Sequence, residues 1–314
     1  QELPELTVVV GGVHPSSLPK LSLAETGADI VVIGEGERTV VELARILENP
    51  HGDLNMVKGI CFNQEDDLII TAERELIEDL DSIPIPAWQK INPNKYPKIP
   101  HGLLVIHGKV APILSTRGCP FKCHYCASCR FWHQRIRFRD PVKIVDEIEY
   151  LHKKFGIKEI HFWDDNLTMK KTHIIGICRE VLKRGLNLSF ATPNGIRVDT
   201  LDREVLGWMK AAGFHYVLFA VESGSVRVLR DSGKNTDLKI MARNAYLAKE
   251  MEFNINSYFI LGFPTDTEES IKKTIQYAKS MPFDMCTFFV MKPLPGSKVF
   301  EDWALLAPAF GMIG

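Results

Sequence analysis

The stretch Ala111-Pro112-Ile113-Leu114-Ser115-Thr116-Arg117-Gly118-Cys119-Pro120-Phe121-Lys122-Cys123-His124-Tyr125-Cys126 decides how this chain is read. Residues 111–117 predict a β-strand. A glycine-led loop follows, carrying three cysteines in the spacing C-x3-C-x2-C. Parallel α/β folds gather their functional groups on loops at the C-terminal ends of strands, which is where these thiols fall.

Toward the C-terminus the pattern is regular. Strand candidates at 111–117, 158–164, 187–193, 215–221, 254–261 and 284–291 alternate with helical patterns at 141–155, 170–184, 201–212, 237–251 and 267–280. Asp140-Pro141 opens the first helix as N-cap and N1, and Gly156 stops it. Its apolar face is Ile144, Val145, Ile148, Leu151 and Phe155. Consecutive βα units predict parallel strands with right-handed crossovers. Six units fall short of the eight that close a full barrel, so an open, partial (β/α)6 barrel is expected.

Toward the N-terminus, Thr7–Val10 and Ala28–Ile33 are short β-branched runs ending at Gly11-Gly12 and Gly34-Glu35-Gly36. Glu37–Glu48 has helical spacing. Fully apolar strands alternating with helices indicate a parallel sheet covered on both faces. Two such strands are too few for a complete sheet, and residue 1 is Gln, so the chain reads as a fragment or processed chain. Lys58–Phe62, a polar turn at 63–67 and Leu68–Thr71 predict a hairpin. Asp79–Gly108 is proline-rich and reads as a linker. The expected division is 1–50, part of an α/β domain; 51–108, hairpin and linker; 109–302, the barrel core; and 303–314, a tail without assignment.

The 314 residues are 45% hydrophobic and 25% charged, which excludes a largely disordered or collagen-like chain. A net charge of -1 gives no global basic field for nucleic acid. The longest apolar runs, such as Met285–Met291, are too short to span a bilayer, so no membrane partner is expected. Seven cysteines, an odd number, do not form a disulfide framework; they point to a reducing, cytoplasmic compartment and to metal or redox chemistry.

Thiolates are soft ligands for iron–sulfur clusters or zinc. Three of them leave one iron of a 4Fe-4S cube without a protein ligand and open to a substrate or cofactor. Cys129 extends the run to four and would close the cluster, making an electron-transfer protein. A zinc-stabilised binding module is a third reading. Cys61, Cys178 and Cys286 lie on strand or helix patterns and read as core residues.

The motif C-x3-C-x-aromatic-C after the first strand of a six-unit βα barrel resembles the radical S-adenosylmethionine (SAM) superfamily. The resemblance implies that Cys119, Cys123 and Cys126 bind a 4Fe-4S cluster whose open iron chelates SAM. Reduction would then give a 5′-deoxyadenosyl radical. It places Tyr125 against the adenine and Asp164 or Asp165, in Phe162-Trp163-Asp164-Asp165-Asn166, at the SAM amino group. Asp and Asn are also good helix caps, so one of the pair is expected to cap. By the same resemblance Glu222 and Ser223 meet the ribose or methionine end, Gly262 lets backbone approach the cofactor, and Arg197 pairs with the SAM carboxylate or with Asp199. Pro293-Leu294-Pro295-Gly296 matches a family loop as well.

Residues 8–15 and 31–37 are similar to the C-terminal part of a Rossmann-like cobalamin (B12)-binding domain. Gly11, Gly12, Gly34, Glu35 and Gly36 would lie against the cobalamin. The family's Asp-x-His-x-x-Gly loop would precede Gln1, and His14 reads as a turn residue rather than a cobalt ligand. The implied protein is a B12-dependent radical SAM enzyme that methylates an unactivated carbon of a small-molecule or peptide substrate, served by a flavodoxin- or ferredoxin-type electron donor. Oxidative ring cyclases of the tetrapyrrole type and tRNA methylthiotransferases are alternatives within the class. Arg130, Arg135, Arg137 and Arg139, interleaved with Phe131, Trp132 and Phe138, resemble a small nucleic-acid patch. In this family a basic stretch follows the cluster loop without RNA, so nucleic acid is not expected.

Overall fold

A computed structural model of the chain describes residues 6–96 and 105–306. These fall into two compact units, residues 6–78, 125–134 and 293–306 in one, and residues 79–96, 105–124 and 135–292 in the other.

The first unit is built on a four-stranded sheet in the order β1-β2-β3-β4. Its elements are β1 (Val9–Val10), α1 (Val13–Ser17), α2 (Pro19–Thr26), β2 (Ile30–Val32), α3 (Gly36–Glu48), β3 (Ile60–Gln64) and β4 (Asp67–Ile70). Two later pieces, α4 (Ser128–Phe131) and α11 (Lys298–Leu306), belong to the same unit. β1 and β2 are parallel, as their apolar runs predict, whereas β3 and β4 are antiparallel. The hairpin therefore extends the N-terminal sheet, pairing Val31 with Cys61. One small core, Ile30, Val32, Leu43, Val57, Ile60 and Phe62, joins residues on both sides of the division expected at residue 50. Apolar side chains that share one sheet face must share one core.

The second unit carries the six-stranded sheet. In chain order it comprises β5 (Val110–Ile113), β6 (Thr116–Arg117), β7 (Arg137–Phe138), α5 (Pro141–Phe155), β8 (Glu159–Phe162), α6 (Lys171–Lys183) and β9 (Ser189–Ile196). Next come α7 (Arg203–Ala212), β10 (Phe214–Glu222), α8 (Val226–Asp231), α9 (Leu238–Glu250), β11 (Asn254–Leu261), α10 (Glu268–Ser280) and β12 (Met285–Val290). The sheet order is β12-β11-β10-β9-β8-β5, all parallel, so the (β/α)6 expectation holds. α5 starts where Asp140 accepts a hydrogen bond from Val142 N and ends where Gly156 turns left-handed at φ 66. Ile144, Val145, Ile148 and Leu151 on its inner face are fully buried.

The first barrel strand is shorter than the run 111–117 predicts. β5 stops at Ile113, and Thr116–Arg117 turns away to pair antiparallel with Arg137–Phe138. The helix expected at 201–212 starts at Arg203, because Asp202 caps it through Val205 N. Residues 79–96 do not trail free of the barrel. Trp88 is buried and donates Nε1–H to Glu147 Oε1 at 2.9 Å, and Asp140 N donates to Asp81 at 2.6 Å. Pro97 and Pro100 lie outside the described residues. Of the tail, Trp303–Leu306 finishes α11 and the rest lies outside the described residues. No helix among the described residues is long and apolar enough to cross a membrane.

Ile160 and Phe162 belong to the large core, and Phe162, Phe190 and Phe214 pack ring on ring there, with Phe190–Phe214 centroids 5.1 Å apart. Alternation turns Glu159 and His161 to the opposite face of β8. Glu159 is fully buried at the start of its strand. Its Oε1 accepts from His161 Nε2 at 2.9 Å and His215 Nε2 at 3.2 Å, and its Oε2 accepts from the backbone N–H groups of Ile106 and His107. Burial raises the pKa of this carboxyl, but the imidazole and amide donors outweigh burial and bring it from 4.5 to about 2. A depressed carboxylate pKa stabilises the fold above the unfolded value and loses that contribution as pH falls toward the folded one. Glu159→Gln is therefore expected to lower unfolding free energy by about 3 kcal/mol at pH 7. Urea titrations from pH 7 down to pH 3 should show the gap to wild type narrowing below about pH 4.5.

Candidate functional site

The ends of β8 and β5 are tied by one carboxylate. Asp164 is 2% exposed. Its Oδ1 accepts from Ser115 N (3.0 Å), Ser115 Oγ (2.7 Å), Thr116 N (2.5 Å) and Thr116 Oγ1 (2.7 Å). These donors come from the residues that leave the sheet after Ile113, which explains why β5 ends early and the chain turns into the cysteine loop. The caps expected of Asp164–Asn166 are thus a strand-to-turn clamp, since α6 begins only at Lys171 with no side-chain cap. Asp165, the neighbouring carboxylate, is half-buried.

All seven cysteines are free thiols. Cys119, Cys123, Cys126 and Cys129 are half-buried, while Cys61 and Cys178 are fully buried as core residues. Cys286, expected in the core, is half-buried and packs against it. Burial raises the Cys119 thiol pKa, and the charges at Cys123 and Asp165 add to this, against the Phe121 N–H and the Lys234 ammonium, which lower it. Cys129 Sγ–H donates to Cys126 O at 3.2 Å, as a residue one helical turn on does. Among the described residues no three His, Cys, Asp or Glu side chains are already gathered as a metal cage. The fit to a cluster therefore rests on the donor set, several soft thiols close together in sequence.

Arg197 follows β9 and is 7% exposed. Its Nε lies 2.8 Å from Asp199 Oδ1, its Nη2 donates to Asn235 O at 3.2 Å, and its guanidinium lies 3.7 Å over the Phe121 ring. Glu222 ends β10 in a left-handed conformation, φ 71, which costs a non-glycine residue of the order of 1 kcal/mol. It is 7% exposed and pairs at 3.3 Å with Nζ of Lys234, a residue that is itself 6% exposed. Sequence reasoning missed Lys234, because a lysine in the polar turn Ser232-Gly233-Lys234-Asn235 reads as solvated. Ser223 Oγ bonds Thr274 Oγ1 at 3.0 Å and accepts from Ser225 N at 3.1 Å, so its hydroxyl is engaged in packing on α10. Gly262, after β11, has φ 88 and only Met291 Cβ, at 4.0 Å, near the place of a side chain.

In the first unit, Gly12 (φ 110) and Gly34 (φ 80) follow the two parallel strands, and a Cβ on either would meet nothing within 4 Å. These two glycines mark open space at the strand ends. Gly11 is closer to its neighbours, with Val32 Cβ at 3.4 Å, and Gly36 opens α3. Glu35 is buried, its Oε2 accepting from Ile77 N at 2.7 Å. His14 is exposed within α1. Tyr125 is half-buried and falls in this unit. The basic stretch is engaged internally. Arg130 pairs with Glu301, His133 lies 2.9 Å from Glu73, Arg139 lies 2.8 Å from Glu147, and Arg137 is 5% exposed.

Burial raises the Asp164 pKa from 3.8 to about 6, against the Ser115 and Thr116 donors that lower it. A carboxyl whose folded pKa lies above its unfolded value costs stability as pH rises through that interval. Wild type is thus expected to lose about 3 kcal/mol between pH 4 and pH 7 that Asp164→Asn does not lose. Paired denaturation curves across that range check it, and parallel slopes for the two proteins would sink it.

Residues 113–278 match the radical SAM superfamily and residues 1–44 match the B12 binding domain. Over 297 residues the chain is 33% identical to an uncharacterized methyltransferase, PH0819, of Pyrococcus horikoshii, covering 94% of this chain and 62% of that protein. Over 329 residues it is 30% identical to the cytidylyl-2-hydroxyethylphosphonate methyltransferase of Streptomyces wedmorensis, covering 95% of this chain and 61% of that protein. Among solved structures it is similar to the radical SAM methyltransferase TsrM from Kitasatospora setae, whose structure has cobalamin and a 4Fe-4S cluster bound. The TM-score is 0.78 at 19% identity, over 96% of this chain and 58% of that one. The chain thus spans less than two thirds of the length of the curated relatives it matches. The superfamily match takes in more than half of the chain, from the first barrel strand to the last barrel helix, and the chain belongs to the radical SAM superfamily.

Proposed function

We propose that this chain is the cofactor-binding part of a cobalamin-dependent radical SAM enzyme that transfers a methyl group to an unactivated carbon. The observation that carries the reading is one chain in which a B12 binding domain match precedes a radical SAM barrel whose first strand runs into C-x3-C-x2-C. When bound, the reduced cluster with SAM supplies a 5′-deoxyadenosyl radical, and cobalamin carries the methyl group.

The chain's own groups then have distinct tasks. Cys119, Cys123 and Cys126 hold the cluster, and Tyr125 lies against the SAM adenine. Asp165, the more exposed of the two carboxylates, takes the SAM ammonium, while Asp164 Oδ1 is occupied by Ser115 and Thr116. Glu222, held by Lys234, meets the ribose or methionine end, and Gly262 lets backbone approach it. Arg197 and Ser223 act through their neighbours, since the hydrogen-bonding groups described above already have partners. Gly12 and Gly34 leave the cobalamin open space at the strand ends, Gly11 and Gly36 lie beside them, and Glu35 fixes that turn through Ile77. The substrate is a small molecule or peptide, and a flavodoxin- or ferredoxin-type protein delivers the electron. The barrel excludes water from the radical while the cofactors supply the reactivity.

The full-length protein, purified and reduced without oxygen, is expected to release 5′-deoxyadenosine from SAM, and SAM is expected to change the EPR spectrum of the reduced cluster. Cys123→Ala should abolish both cluster and product, whereas Cys129→Ala should keep the cluster. Loss of the cluster in Cys129→Ala, with no response to SAM, would instead identify a closed four-cysteine electron carrier.

A further inference from the structure

The cysteine loop and the turn after α8 approach each other closely. Gly233 sits in that turn at φ 74, and a Cβ there would lie 2.5 Å from Lys122 O and 3.1 Å from His124 Cδ2. Backbone at 2.5 Å leaves no room for any side chain. Beside it, His124 N–H donates to Ser232 O at 2.8 Å, which pins the loop to the turn by a main-chain bond. On the other side of the loop, Phe121 lies under the Arg197 guanidinium at 3.7 Å, and Arg197 donates to Asn235 O in the same turn. A cation stacked on a ring at this distance, with Nε and Nη2 held by Asp199 and Asn235, is a fixed support. Lys234, also of the turn, is anchored by Glu222 at the end of β10. The turn thus holds His124 directly and Phe121 through Arg197, which is bonded to it, and Lys234 ties the turn to the end of β10.

We propose that the turn Ser232–Asn235 is the seat that shapes the first half of the cysteine loop, Cys119–His124, with Gly233 and Phe121 as positioning residues. Their assignment to cluster loading rests on the cluster reading above; their hold on the loop does not. Gly233 works by being absent as a side chain: any substituent displaces Lys122 and so the segment between Cys119 and Cys123. Phe121 works by filling the space under Arg197. Supporting contacts of this kind hold metal ligands in place, and their loss costs about 10- to 100-fold in metal affinity.

The test compares Gly233→Ala with Gly185→Ala in the full-length protein. Gly185 has φ 63 and open space around it, so its variant reports left-handed strain without the steric push. Two quantities are read in each. One is iron and acid-labile sulfide retained against a chelator. The other is the alkylation rate of Cys119 and Cys123 in the apo-protein, mapped by peptide and referenced to Cys286. Gly233→Ala is expected to weaken cluster retention about tenfold or more and to change the alkylation rates of Cys119 and Cys123, while Gly185→Ala does neither. Phe121→Ala should act in the same direction and Phe121→Tyr should restore wild-type behaviour, which covers the case in which Gly233→Ala unfolds. Unchanged retention and unchanged alkylation in Gly233→Ala and Phe121→Ala would overturn the proposal. If wild type takes up no iron at all, the cluster reading fails, and the alkylation arm still decides whether the seat exists.

Discussion

A single buried carboxylate oxygen determines where the first barrel strand ends. Asp164 Oδ1 takes in the amides and hydroxyls of both Ser115 and Thr116. Without that acceptor, two backbone N–H groups would be buried without partners, at a cost of about 1–3 kcal/mol each. With them, the chain leaves the sheet after Ile113 and makes a two-residue pairing with Arg137–Phe138. The cysteine loop is strung between those two short strands. Its position relative to the strand ends therefore follows from β8 as much as from β5.

Much of the barrel was legible because its signals are local. The limits of α5 are set by Asp140, Pro141 and Gly156, and its face by four fully buried aliphatic residues, all readable in one dimension. The parallel order of six strands followed from alternation of strand and helix alone. What was not legible is tertiary. The run 111–117 has strand character throughout, and only Asp164, some fifty residues away, takes its end out of the ladder. The hairpin near residue 60 looked like part of a separate stretch because nothing in its own residues says which edge it will join; Val31 opposite Cys61 says so.

The candidate site divides the same way. The thiols were found by spacing, a property of sequence. Which of Asp164 and Asp165 clamps the end of β5 was not, because two adjacent carboxylates are alike until one of them meets Ser115 and Thr116. Lys234 was invisible for a related reason. Its burial depends on a carboxylate twelve residues earlier that ends a strand, and a lysine without such a partner belongs in water. The arginines around the short helix α4 show the same dependence on tertiary partners. In sequence they form a patch, but in the fold Arg130, Arg139 and their neighbour His133 face acidic groups of their own unit.

Glu222 has a consequence for anyone who sets out to toughen this protein. Its left-handed backbone makes it the kind of position where a consensus-minded designer would install glycine and gain heat resistance. Here the swap would strand the Lys234 ammonium inside the protein with nothing to balance it. Relief of backbone strain and loss of charge balance pull against each other at one residue, so a thermostability screen run without an activity assay would drift away from this glutamate or stall on it for reasons unrelated to its chemistry.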